Sequence, residues 1–268
     1  MHGHDPGTGE GVPILTVVGL GPGDMALLTP QALAALQRAE LLVGYRRYLE
    51  LLPGELLAGR QVESSGMMAE MERCSVAIDA ALAGRRTVLV SSGDAGVYGM
   101  AGLALELIER RGLLDRLELD IVPGVPAVIA AAALLGAPLT HDFACVSLSD
   151  LLTPWLVIEK RVVLAAEADF VLALYNPRSR RRDWQLPRVL ELLRGVRSPD
   201  TPVGIVREAF RPEQRVTLTP LSAMDPGAVD MLSIVIVGNS QSRLAGRRMV
   251  TPRGYLQKYD VPSSGEGA

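Results

Sequence analysis

Thiol and imidazole chemistry are almost missing from this chain. Its 268 residues include two cysteines, Cys74 and Cys145, and three histidines, His2, His4 and His141. The cysteines form no CxxC pair, so spacing suggests neither a zinc site nor a disulfide framework, and a reduced cytoplasmic chain is the simpler reading. With His2 and His4 in a Gly-rich lead-in, His141 alone is left for imidazole work. A hydrolase triad and a His-based metal site are not expected, and no metal is assigned. Aromatic residues make up only 4% of the chain, so the core must be built from Ala, Leu and Val. Lysine is limited to Lys160 and Lys258, and the other basic residues are arginines. A net charge of −3 argues against a general nucleic-acid binder. Uninterrupted apolar runs of membrane-spanning length are lacking too. Ile121–Leu139 comes nearest, but Pro123, Gly124, Pro126, Gly136 and Pro138 break it, so no membrane partner is expected.

What is present is alternation. At 48%, the hydrophobic fraction is ample for a core, and apolar runs of strand length alternate with amphipathic stretches, which is an α/β pattern. Strands are expected at 14–20, 41–43, 87–91 and 117–122, then at 170–175, 203–207, 215–219 and 231–237. Helices are expected at 29–39, 67–83, 99–110, after Pro126, and at 155–166 and 186–194. Thr29 followed by Pro30 is a helix start, and Gly84 a helix stop. Three late strands, two joined by a short link, imply some antiparallel pairing. The expected organisation is a disordered lead-in over 1–13, an N-terminal α/β domain over 14–142, a C-terminal α/β domain over 143–259, and a loose tail over 260–268.

Chemistry concentrates where the expected strands end. VVGLGPGD (17–24) follows the first strand, but Asp24 breaks the G-x-G-x-x-G dinucleotide pattern and no Walker lysine follows. What remains is a rigid Gly-rich turn at the carboxyl end of a strand, where open α/β sheets bind ligands. SSGDAGVYGM (91–100) and VPGVPA (122–127) are two more such exits. LYNPRSRRRDW (174–184) carries Arg178, Arg180, Arg181 and Arg182, which reads as a cationic rim for a polyanion. VREAFRPEQ (206–214) and the stretch from Asp230 to Gly238 complete the set.

Taken in order, VVGLGPGD, LTP (28–30), SSGDAGVYG, PGV, LYNP, REAFRPEQ and SIVIVGN resemble the tetrapyrrole (corrin/porphyrin) methylases over residues 14 to 255. SLSDLLTPW with IEKR, LYNPRS with REAFRPEQ, and LVGY (42–45) look most like the precorrin-3B C(17)-methyltransferases of cobalamin biosynthesis. That resemblance implies a homodimeric two-domain α/β enzyme of the tetrapyrrole methylase-like fold. It would hold S-adenosylmethionine in the interdomain cleft and release S-adenosylhomocysteine. The implied reaction methylates precorrin-3B at ring carbon 17 with ring contraction to precorrin-4. The cobalt-factor III enzyme of the anaerobic route is the close alternative. Matched motifs carry over Pro22, Gly93, Asp94, Ala95, Val97, Tyr98, Pro126, Ala127, Asn176, Ala209 and Ser233 as cofactor contacts. Ala95 stands where the commoner loop reads Gly-Asp-Pro, and Pro126 where a small hydroxyl residue is usual. For acid/base work Asp94 ranks first, its alternative role being to cap the amides of its loop. Asp24 and Asp150 follow, each with a turn or cap as its alternative. Arg178, Arg180, Ser149 and His141 are the candidate contacts to a carboxylate-rich ring. Two rivals stay open: a methylase acting at another ring carbon or on a diphthamide precursor, and a nucleotide-binding scaffold without activity.

Overall fold

The computed structural model describes residues 12–259; the expected loose tail, nearly all of the lead-in, and His2 and His4 lie outside the described residues. Two compact units divide between Ala127 and Val128.

The first unit is a five-stranded, wholly parallel sheet with helices between its strands. Its elements are β1 (Ile14–Gly19), α1 (Pro30–Arg38), β2 (Leu41–Tyr45), α2 (Arg46–Leu49), α3 (Gly54–Leu57), β3 (Gln61–Ser65), α4 (Glu70–Leu82), β4 (Thr87–Ser91), α5 (Ala101–Arg110) and β5 (Glu118–Val122). The strand order is β3-β2-β4-β1-β5, so β1 sits between β4 and β5. Such central parallel strands are covered on both faces and therefore read as continuous apolar runs. Leu15, Val17, Leu89 and Ile108 belong to one apolar cluster; Val18, Leu36, Leu42 and Val88 belong to another. Thr29 caps α1 as expected: its Oγ1 accepts from Ala32 N at 3.1 Å, and the hydroxyl also donates to Pro123 O at 3.3 Å. Helix α4 starts at Glu70, three residues later than expected, because Met68 takes a left-handed φ of 64°. Strand β3 was not expected. It is a polar edge strand, QVESS, four of whose five residues are exposed, so it carries no apolar run to announce it.

The second unit opens with α6 (Ala127–Leu135) and β6 (Gly136–Ala137), followed by β7 (Phe143–Ser147), α7 (Trp155–Glu167), β8 (Val171–Tyr175) and α8 (Gln185–Arg194). Then come β9 (Pro202–Arg207), β10 (Arg215–Pro220), β11 (Ser233–Val237), β12 (Arg243–Ala245), β13 (Arg248–Val250) and α9 (Tyr255–Lys258). Its main sheet runs β10-β9-β11-β8-β7 and is mixed: β7 and β8 are parallel, while β11 is antiparallel to both β8 and β9. The expected antiparallel pairing among the late strands is present. A small sheet, β12-β13-β6, was not expected.

That small sheet explains why the division falls at 127/128 instead of 142/143. Met249 pairs with Gly136 and Val250 with Ala137, and Val128 N donates to Tyr175 Oη at 3.0 Å. Leu135 packs so close to Gly204 that an added Cβ there would meet it at 2.4 Å. Helix α6 and β6 therefore belong with the second unit, although sequence places them directly after the first. Ile121–Leu139 resolves into the end of β5, a loop, α6 and β6, and no helix among the described residues is long and apolar enough to cross a membrane.

Candidate active site

In the first unit, β4, β1 and β5 are neighbours and parallel, so their exits meet on one edge of the sheet. The three Gly-rich loops are bonded together there. Gly21 and Gly93 exchange both backbone hydrogen bonds, at 2.9 and 2.8 Å. Asp94 completes the link: Oδ1 accepts from Gly96 N at 2.8 Å and Val97 N at 3.1 Å, and Oδ2 accepts from Gly124 N at 3.0 Å. The backbones approach so closely that an added Cβ on Gly124 would lie 2.2 Å from Gly93 O, and one on Gly19 2.7 Å from Gly124 N. Only glycine fits at either position.

The cofactor residues expected from this unit gather on that edge. Pro22 and Gly93 are buried, and Gly93 faces the backbone of 125–127. Ala95 is fully buried with its methyl in the core, and its carbonyl accepts from Ala101 N at 3.0 Å. Val97 and Tyr98 project outward, and Tyr98 takes a φ of 52°. Pro126 and Ala127 are half-buried at the end of the third loop. Asp94 has both oxygens engaged by backbone amides, which is the loop-capping role weighed against catalysis. Asp24 is likewise a cap: it accepts from Ala26 N at 2.9 Å at the start of a 3₁₀ turn, Met25–Leu27.

The second unit has its own chemistry-bearing edge. The carboxyl ends of β7, β8 and β9 lie beside the start of β11, since Ser147 pairs with Tyr175 and Ser233 with Arg207. Asn176, Ala209 and Ser233 therefore share one edge, together with Ser149 and Asp150. Asn176 sits at φ 49°, a conformation Asn tolerates, and its Nδ2 donates to Ser147 Oγ at 3.0 Å. Ala209 lies between Glu208 at φ 47° and Phe210 at φ 56°. Among the described residues, four of the six non-glycine ones with positive φ (Tyr98, Asn176, Glu208 and Phe210) fall in strand exits already singled out by motif, and backbone strain of this kind gathers at functional sites. Ser233 Oγ donates to Asp230 Oδ1 at 2.8 Å, and Asp230 Oδ2 accepts from Arg207 Nε at 2.9 Å. Burial alone would raise the Asp230 carboxyl. The bonds from Arg207, Ser233 and Leu232 outweigh it and hold the group below its ordinary value.

The arginine cluster divides in two. Arg182 is buried and points inward: its guanidinium donates to Leu148 O at 3.0 Å, to Asn176 O, and to Met231 Sδ at 3.3 Å. It clasps the β7, β8 and β11 ends together, and burial, partly offset by Asp150, lowers its pKa. Asp150 in turn accepts from Gln185 Nε2 at 2.9 Å. Arg178 is half-buried and donates to Pro226 O at 3.2 Å, while Arg180 and Arg181 are exposed. His141 is not part of this edge. It precedes β7, whereas Ser149 follows it, and β7 alone spans about 13 Å. Its Nδ1 accepts from Asp142 N at 2.8 Å, and with Thr140 and Arg253 it lines a separate cavity of about 340 Å³. Arg182 and Met231 are structural members of the site that sequence alone did not assign. The position of Arg182 in a run of arginines hid its burial.

Comparison with known proteins decides what this geometry belongs to. The family model described as Tetrapyrrole (Corrin/Porphyrin) Methylases matches residues 14–225. The chain belongs to the tetrapyrrole methylase family. Among this methylase's relatives, the probable cobalt-factor III C(17)-methyltransferase of Salmonella typhimurium is 52% identical over 90% of this chain and 99% of its own length. The precorrin-3B C(17)-methyltransferase of a Sinorhizobium species is 42% identical over 90% of this chain and 96% of its own. The crystal structure of the methyltransferase CobJ superposes with a TM-score of 0.86 at 40% identity, covering 90% of this chain and all of that one. Uroporphyrin-III C-methyl transferase from Thermus thermophilus, complexed with S-adenyl homocysteine, gives a TM-score of 0.62 at 25% identity, covering 84% of this chain and 96% of that one.

Proposed function

We propose that this methylase is an S-adenosylmethionine-dependent C(17)-methyltransferase of cobalamin biosynthesis, acting on precorrin-3B or on its cobalt-bearing counterpart, cobalt-factor III. The observation that carries the reading is the nearly full-length identity to relatives named for those two substrates, 52% and 42%. The higher value favours the cobalt-bearing ring. The assay offers both rings side by side with labelled methyl donor. Turnover of neither, with turnover of another ring intermediate, refutes the assignment.

The residues present suit such a cofactor. None of Pro22, Gly93, Asp94, Ala95, Val97, Tyr98, Pro126, Ala127, Asn176, Ala209 and Ser233 is cationic, so nothing among them repels a sulfonium. The glycine-locked edge of the first unit brings backbone carbonyls and amides within reach of a ligand without side chains in the way. S-adenosylmethionine supplies an electrophilic methyl group. The chain's task is then to hold donor and ring carbon in line, which needs neither a metal nor a strong protein nucleophile. Asp94 serves by keeping three loops in register, and Asn176 and Ser233 by presenting fixed polar groups on the second unit's edge. Arg178 and Arg180 take the ring carboxylates. Homodimeric assembly and a cytoplasmic location complete the proposal, the first checked by sedimentation equilibrium.

A further inference from the structure

The loop after β7 exposes two leucines that no core explains. Leu151 is 74% and Leu152 97% exposed, on a loop firmly tied at its base. Arg182 bonds Leu148 O, and Gln185 bonds Asp150, so the leucines stand on the edge that carries Asn176 and the arginines of the β8 exit. There Arg180 and Arg181 are exposed, and their side chains engage no described residue. The edge thus offers bare apolar surface beside free guanidinium groups. Exposed arginines are at home in water but bare leucines gain nothing there, whereas a flat macrocycle with an apolar face and a carboxylate rim uses both.

We propose that Leu151 and Leu152 form a platform for the apolar face of the tetrapyrrole, with Arg180 and Arg181 meeting its rim carboxylates. The proposal rests on the tetrapyrrole reading above and adds the residues that select a ring over other polyanions. It is tested with uroporphyrin III, a stable carboxylate-rimmed ring whose fluorescence reports binding without turnover. Replacing two nearly bare leucines leaves the core intact, so the double variant Leu151→Ser/Leu152→Ser should fold as the parent does. Its Kd for the porphyrin should rise at least tenfold, roughly what losing burial of one leucine entails. The salt dependence of binding should stay as in the parent. Arg180→Gln/Arg181→Gln should also weaken binding but flatten the salt dependence, since ionic contacts are screened and apolar ones are not. Affinity for S-adenosylhomocysteine and the sedimentation profile should match the parent in both variants.

Three results overturn the platform: parental porphyrin affinity in the leucine variant, failure of the parent to bind the porphyrin, or a change of oligomeric state in the leucine variant. The last would make the leucines a subunit interface. If porphyrin binding behaves as expected while neither C(17) substrate turns over, the platform stands and the assigned reaction fails.

Discussion

Gly124→Ala is the sharpest single perturbation of the cofactor edge. The new methyl would stand 2.2 Å from Gly93 O and 2.7 Å from both the carbonyl carbon and oxygen of Gly19. Non-bonded carbon prefers about 3.5–4.0 Å, so backbone must move by roughly 1 Å or more. All three obstructing atoms are main chain, and no rotamer change relieves them. Two bonds stretch first: Gly21 N to Gly93 O at 2.9 Å, and Gly124 N to Asp94 Oδ2 at 3.0 Å. A neutral bond contributes about 1 kcal/mol and one to a charged group about 1.5–3, so the expected destabilisation is about 2.5–4 kcal/mol. A domain with 5–15 kcal/mol of stability survives that, so the variant should fold. The cofactor edge should still be displaced, and a 1 Å misplacement can cost about a hundredfold in rate. The assay pairs urea denaturation with calorimetric titration of S-adenosylhomocysteine, using Gly102→Ala as control. Gly102 lies in α5 with nothing within 4 Å of its missing Cβ, so alanine there should stabilise by about 0.5–1 kcal/mol through helix propensity. If Gly124→Ala matches the parent in stability and binds S-adenosylhomocysteine within twofold, the locked-loop reasoning is wrong.

Three further outcomes are expected. Asp94→Asn places an amide that must turn a donor toward Gly124 N or toward Gly96 N and Val97 N, so affinity for S-adenosylhomocysteine should fall about 10- to 100-fold; the pH profile of residual activity should keep its shape, and loss of a pH limb with parental affinity would instead make Asp94 an acid/base group. Burial pushes the Cys74 thiol up to about 11, so thiol reagents at pH 8 should leave it unlabelled in the native protein and modify it only on unfolding; rapid native labelling mapped to Cys74 by mass spectrometry would contradict its burial. Burial alone would raise the Asp169 carboxyl, but the bonds from Ser240 and the Arg197 charge outweigh it and hold the group below its usual 3.8. A depressed folded pKa contributes stability above the ordinary value, lost as pH falls through the folded one, so Asp169→Asn should flatten the acid limb of the stability–pH curve below pH 4; an unchanged limb would show the pair with Arg197 to be inert.

Much of this molecule is legible residue by residue. The buried parallel strands β1 and β4 announce themselves as apolar runs, Thr29–Pro30 as a helix start, and Gly84 as a stop. The ordered motifs at strand exits point to the family, because backbone approach to a ligand demands glycine and proline at fixed offsets from a strand end. Local chemistry suffices for these. The polar edge strand β3 and the small sheet of β6, β12 and β13 leave no such trace, since their pairing partners, not their own composition, make them strands.

Four arginines in one loop look alike in sequence, yet Arg182 is buried and binds three neighbouring segments while Arg180 and Arg181 stay in water. Asp94 is a carboxylate in a glycine loop until Gly96, Val97 and Gly124 are seen to donate to it. His141 looks close to Ser149 along the chain, and β7 separates them. The unit boundary belongs with these, for α6 joins the second unit through partners far along the chain: Gly136–Ala137 pairs with Met249–Val250 more than a hundred residues on, and Val128 N donates to Tyr175 Oη. Sequence determined the buried strands, the longer helices and the motifs that end them, because helix caps, buried strands and glycine turns depend on neighbours a few residues away. Tertiary structure alone decided which charged groups are spent inside the fold and which are left to meet a ligand, because burial and pairing depend on segments that meet only after the chain has folded.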